Sequence, residues 1–206
     1  MSFSSTLLEE AVKEFAKLPG IGKKTALRMA LHLVKLPEQE VNQLGNALIR
    51  MRSEMKFCRQ CHNIADQDLC NICKNPMRKK NTICVVESIR DVIAIETTQQ
   101  YSGLYHVLGG LISPLDGISP DQLHIDSLVE RVRKDAIEEL IFALSPNIQG
   151  DTTLFYIHKK LGELPVSITT ISRGISFGGE LEYADEMTLA RSIQNRQPVN
   201  HYVGMK

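Results

Sequence analysis

Apolar residues recur every three to four positions over the first 56 residues. Beyond residue 80 they gather instead into short solid runs separated by helical stretches. In the first region Leu7, Leu8, Ala11, Val12, Phe15 and Leu18 fall at helical spacing. Ser4, Ser5 and Thr6 offer N-caps ahead of them, Glu9 and Glu10 suit a first turn, and Pro19-Gly20 stops the helix. A second helix is predicted over 23–35, burying Ala26, Leu27, Ala30, Leu31 and Val34. After Pro37 a third starts near Glu38 and carries Val41, Leu44, Leu48, Met51 and Met55. In the second region, 82–87, 104–108, 139–144 and 166–172 read as strands, and 89–98, 126–132, 150–161 and 185–194 as helices. Solid apolar strands alternating with helices predict a parallel α/β sheet.

Between the two regions stand Cys58, Cys61, Cys70 and Cys73, two Cys-x-x-Cys pairs separated by eight residues. Each pair can grip one ion, and two pairs complete a tetrahedron with no open position, which suits a structural zinc. Iron is the alternative metal for four thiolates. The N-terminus 1–6 has neither a basic start nor an apolar run, so a reducing, cytoplasmic setting is expected, where this spacing favours metal over disulfides. The intervening 62–69 segment shows no strong helix or strand pattern, and His62 is expected to be a polar loop residue, since four sulfurs fill the shell. The fifth cysteine, Cys84, lies in an apolar run and reads as a buried core thiol.

Net charge is zero, with 24 basic and 24 acidic side chains, but the halves differ. Residues 1–80 carry 14 Lys and Arg against 8 Asp and Glu, and residues 81–206 carry 10 against 16. The first half therefore suits a polyanion and the second does not. No apolar run approaches the length of a membrane span.

The segment Leu18-Pro19-Gly20-Ile21-Gly22-Lys23-Lys24-Thr25 sets two glycines around an aliphatic residue directly before a helix. Gly20 and Gly22 let a backbone come close, the helix start offers free N–H groups, and Lys23, Lys24 and Arg28 follow, the last two on one face. This suits a sugar-phosphate backbone without base reading. The segment resembles the helix-hairpin-helix family, which implies sequence-nonspecific DNA binding. A P-loop fails because Lys17 stands where its first glycine belongs. A dinucleotide fingerprint fails because Thr25 replaces its third glycine.

Glu87 closes the first apolar strand of the second region, at the end where α/β sites gather. This resembles the Toprim fold, in which such a glutamate opens a metal-dependent phosphoryl-transfer site. That site also needs an Asp-x-Asp pair after a later strand, where this chain has Leu144-Ser145-Pro146-Asn147. Asp66 and Asp68 lie within the cysteine module, and Asp151 sits where an acid caps a helix. A catalytic metal centre is not expected, and Glu87 is expected to orient the loop around Ser88, Arg90 and Asp91 or to meet a partner.

A helix-hairpin-helix, a four-cysteine module and a degenerate Toprim sheet, in that order, resemble the RecR family of bacterial recombination mediators. The runs His106-Val107-Leu108-Gly109-Gly110-Leu111-Ile112-Ser113-Pro114-Leu115-Asp116-Gly117-Ile118 and Gly178-Gly179-Glu180-Leu181-Glu182-Tyr183-Ala184-Asp185-Glu186-Met187-Thr188-Leu189 are similar to family signatures. The resemblance implies four parts: a helix-hairpin-helix region at 1–56, a zinc module at 57–76, a Toprim-like domain at 80–172, and an oligomerisation or partner segment at 173–206. It implies one zinc per chain, single- and double-stranded DNA as ligand, a dimer or tetrameric ring, and no enzymatic activity. It also implies work with RecO and RecF to load recombinase at single-stranded gaps, in the bacterial cytoplasm near the nucleoid. The chain departs from the family pattern at Lys23, Gln149, Thr170 and Ser176. Lys23 adds charge where DNA is expected, Gln149 further weakens Toprim catalysis, and the other two bear on the C-terminal partner surface. The alternatives are a Toprim nuclease, primase or topoisomerase, and a zinc-stabilised protein scaffold.

Overall fold

A computed structural model describes residues 5–175, 178–196 and 198; Ser4 and Ser176, singled out above, lie outside them. The chain divides into two units, Met1–Met55 and Lys56–Lys206.

The first unit holds helices α1 (Thr6–Phe15), α2 (Lys23–Val34) and α3 (Glu38–Glu54). Ser5 caps α1, its hydroxyl accepting from the Leu8 N–H at 3.3 Å. Helices α1 and α2 pack through Val12, Ala26 and Ala30, with Leu8, Phe15, Ile21 and Leu27 around them. The two alanines make this contact close but narrow. Leu31 and Val34, expected inside, lie off it and are exposed. Helix α3 buries none of its residues. Its Leu44, Leu48, Ile49 and Met51 are exposed.

The second unit opens with a short antiparallel hairpin, β1 (Lys56–Phe57) and β2 (Ile64–Ala65), in a segment that showed no strand pattern, and the turn of helix α4 (Asn71–Lys74). There follow β3 (Lys79–Val86), α5 (Ile89–Thr97), β4 (Gly103–Val107), α6 (Ile125–Lys134), β5 (Glu139–Ala143), α7 (Ile148–Leu161), β6 (Ser167–Thr170) and α8 (Glu186–Gln194). Strands β3 to β6 form one parallel sheet in the order β4-β3-β5-β6. Val85 stands between His106 and Phe142 in register.

The solid apolar runs are explained by burial on both faces. On one face Ile83, Val85, Leu140 and Phe142 pack with Ile125, Leu128 and Val132 of α6 and Ile157 and Leu161 of α7. On the other, Cys84, Val86, Tyr105 and Val107 pack with Val92 of α5. Cys84 is a core thiol as expected, and burial pushes it up to about 12.

The edge strand β4 is covered by side-chain and loop groups. The Val107 N–H donates to the Cys61 carbonyl at 2.9 Å, and buried Arg131 donates to the Tyr105 carbonyl at 2.8 Å. The foot of the sheet is tied by Arg78, which donates to Glu96 at 3.0 Å and to the Tyr101 carbonyl at 3.0 Å.

Candidate metal centre and nucleic-acid interface

Cys58 follows β1. Its N–H donates to the Asn63 carbonyl at 2.7 Å, and its carbonyl accepts from the His62 N–H at 2.9 Å, which folds 58–63 into a knuckle. Cys70 is the N-cap of α4, its sulfur accepting from the Cys73 N–H at 3.4 Å. These two local structures bring the four sulfurs within 4.8 Å of one another. Cys58, Cys61 and Cys70 are buried and Cys73 is partly so. The Cys61 and Cys70 sulfurs lie 3.6 Å apart. A disulfide would need about 2.05 Å. A zinc tetrahedron with bonds of about 2.3 Å has edges of about 3.8 Å. The spacing is that of a metal shell, and the cofactor is one zinc ion.

The proton chemistry agrees. Hydrogen bonding to Cys70 first, and burial with it, pushes the Cys61 thiol up to about 12. Hydrogen bonds to Cys61 and Cys70, with burial, raise Cys73 further. Cys70, favoured as thiolate by its bonds to Cys61 and Cys73, is held well below the usual range. Zinc takes its ligands as thiolates, so binding here releases protons.

His62 is a loop residue outside the sulfur shell, as expected, but its side chain is not free in solvent. It takes a left-handed backbone, φ 61°, and its ring is half-buried. It stacks on His124 with centroids 3.7 Å apart and 6° between planes, and meets His106 edge-on at 5.2 Å. Its Nε2 lies 2.9 Å from the Ser127 hydroxyl. Burial, then the neighbouring His124, lowers His62 to about 4. Burial lowers fully enclosed His106 to about 3. At neutral pH the His62 and His106 rings are uncharged, which suits their edge-on contact. Sequence spacing could not reveal this group, because three distant segments supply it.

Glu87 stands at the end of β3 as expected, but it holds a different loop. Its carboxylate accepts from the Ser145 N–H after β5. The turn at Ser88 closes by itself, with the Asp91 carboxylate accepting from the Ser88 N–H at 2.8 Å. In the loop where an Asp-x-Asp pair would stand, Asn147 caps α7, its Oδ1 accepting from the Gly150 N–H at 2.8 Å. That turn is so tight that a Cβ on Gly150 would come within 2.0 Å of the Ser145 carbonyl oxygen. Asp151 is no cap; it pairs with Arg173 at 2.7 Å and lies 3.8 Å from Arg191. The Arg173 hydrogen bond holds its carboxyl below the usual range. Among the described residues, the four cysteines are the only group of three or more potential metal-binding side chains that converges.

In the first unit the chain turns from α1 into α2 at Gly20, whose φ of +78° only glycine adopts freely. Ile21 tucks into the α1–α2 core, and its N–H donates to the Leu18 carbonyl at 3.0 Å. Gly22 is the N-cap of α2, and no side chain caps the helix. A Cβ on Gly22 would meet nothing within 4 Å, so the fold itself does not demand glycine there. Lys23, Lys24 and Arg28 are exposed. Among the described residues no ion pair engages them, whereas nearby Lys13 and Lys17 are paired with Glu9 and Glu14.

Four family models match in the same order as these structures. They are the RecR helix-hairpin-helix at residues 8–52, the RecR four-cysteine zinc finger domain at 55–75, the Toprim domain at 81–172 and the RecR C-terminal region at 174–197. The chain is 58% identical to recombination protein RecR of Flavobacterium johnsoniae, over 96% of each chain. It is 57% identical to that of Amoebophilus asiaticus, over 95% of this chain and 98% of the relative. It is 59% identical to that of Phocaeicola vulgatus, over 94% and 95%. With its zinc module, its hairpin and its Toprim sheet in this order, the chain belongs to the RecR family of recombination proteins.

Proposed function

We propose that this protein is a non-catalytic mediator of recombinational repair that holds DNA by its backbone at the turn between α1 and α2. The observation that carries this reading is the open N-terminus of α2. Its N–H groups have no side-chain cap, both glycines face open space, and Lys23, Lys24 and Arg28 stand exposed beside them, in no ion pair among the described residues. Uncapped amides with the helix dipole bind a phosphate, and the cations extend the contact along the strand. Gly20, Gly22, Lys23, Lys24 and Arg28 would do this without touching base edges, so single- and double-stranded DNA are both ligands.

The Toprim sheet then serves as a frame. Glu87 and Asn147 are occupied in holding the loop after β5, and among the described residues no group of three or more potential metal-binding side chains forms there. The acidic second half is the surface for protein partners, RecO and RecF by the family's example, with recombinase loading at single-stranded gaps as the outcome. The exposed apolar side of α3 supports assembly into a dimer or ring. A closed ring would retain DNA that one hairpin grips only weakly, because repeated sites raise the effective concentration.

A salt titration of DNA binding tests the hairpin. Removing two phosphate contacts in Lys24→Ala with Arg28→Ala should lower the slope of log affinity against log salt by about 1.4–1.8, roughly equally for all sequences. Unchanged affinity and slope in the double variant would place DNA elsewhere on the protein.

A further inference from the structure

The zinc module meets the sheet through Ile72 of α4, which packs against both cores, and through a chain of contacts that begins at Cys61. Cys61 brings its carbonyl to the Val107 N–H at 2.9 Å. The next residue, His62, lays its ring flat against His124 at 3.7 Å. His124 in turn closes the base of the segment that leaves β4. Its Nδ1 donates to the Val107 carbonyl at 3.1 Å, and its N–H donates to the Leu108 carbonyl at 2.9 Å. Its own carbonyl accepts from His106 Nε2 at 2.7 Å. A Cβ on Gly109 would sit 3.6 Å from its ring. Residues 109–123 therefore leave and return beside His124, which bolts their base, while further along the Ile112 N–H donates to Thr153 Oγ1 at 2.9 Å and Ile112 and Leu123 enter the core. That segment carries Leu115 at 98% exposure, beside a left-handed turn at Gly117.

We propose that the zinc module is a latch on the 109–123 segment, with His62 as the positioning residue. Metal bound to Cys58 and Cys61 fixes the knuckle between them. The fixed knuckle holds His62 in its left-handed conformation and so presses its ring on His124. Loss of the metal frees the knuckle, withdraws the stack and opens the base of the segment. The metal state of one module is thereby read out by the presentation of a loop that contains no metal ligand. Left-handed backbone is uncommon for a side chain of this size and persists only where its surroundings hold it. The knuckle bonds of Cys58 are those surroundings.

Hydrogen exchange on the full chain, residue by residue, tests this. The amides of Val107, Gly109 and His124 report the gate, that of Ile112 reports the separate anchor on Thr153, and those of Leu140 and Phe142 in β5 report the sheet. Asparagine tolerates the left-handed backbone but has no ring, so His62→Asn removes the stack without straining the turn. Its zinc content, measured by elemental analysis, should equal wild type. Its gate amides should exchange faster by roughly two- to tenfold, the factor an aromatic contact supplies. Chelating zinc from the wild type should speed the gate before the β5 amides. A zinc-loaded His62→Asn protein with wild-type exchange at the gate overturns the proposal, even if chelation unfolds the entire unit.

Discussion

Glu87 ties the end of β3 to the loop after β5. Its carboxylate accepts from the Ser145 N–H, and the loop so held forms the cap of α7. A hydrogen bond to a charged group contributes about 1.5–3 kcal/mol. Glu87→Ala should lose about that much stability in denaturant unfolding while DNA binding persists. Magnesium-dependent cleavage or synthesis of DNA that vanishes in this variant would instead make Glu87 catalytic. His106 gives a second prediction. Burial holds its folded pKa near 3, below the ordinary 6.5, so the native protein keeps it neutral. The unfolded chain takes up the proton as pH falls below 6.5. The stability this imposes is therefore present above 6.5 and lost progressively as pH falls towards 3. His62, lowered to about 4, adds in the same sense. His106→Gln should unfold with a shallower pH dependence across that window, and an unchanged slope would show that the proton goes elsewhere. At this scale the four cysteines were legible because the two ends of a Cys-x-x-Cys pair are local. The histidine cluster was not, because it joins positions 62, 106 and 124. The Asp151 reading failed for a related reason: Asn147, four residues earlier, takes the cap, and Asp151 is claimed by Arg173 from beyond β6.

Among the elements, sheet strands and their helices fall close to the positions predicted from apolar runs. Burial on both faces leaves few polar interruptions in a parallel strand, so the pattern survives in the sequence. Helix α3 teaches the opposite lesson. Val41, Leu44, Leu48, Met51 and Met55 form a regular apolar stripe, yet the helix buries none of its residues. Periodicity reports that a face wants covering but not what covers it. A second copy of the chain is the occupant that the proposed assembly calls for. Leu44→Glu with Leu48→Glu would place two charges in that contact. The mass measured by light scattering should fall towards that of a single chain, 23.1 kDa. A double variant that keeps the wild-type mass would remove α3 from the assembly.

At the scale of the molecule, fold class followed from the order of patterns: helices, paired cysteines, then alternating strands and helices. What could not be read was how the metal module meets the sheet, since that contact uses backbone groups and rings from segments far apart in sequence. Its position has a consequence for solubility. Strand β4 ends the sheet, and all five of its residues, Gly103-Leu104-Tyr105-His106-Val107, are buried. It carries no proline and no carboxylate or ammonium group to repel another chain, the usual protections of a sheet margin. Cys61 and Arg131 shield it instead. Chelation at neutral pH should therefore produce concentration-dependent light scattering with thioflavin-positive aggregates, and restored zinc added early should prevent them. A chelated protein that stays clear at high concentration would mean that Arg131 guards the margin without help. On this view the zinc ion acts also as a gatekeeper against strand-to-strand polymerisation, a role carried out where the protein meets its own copies and not where it meets DNA.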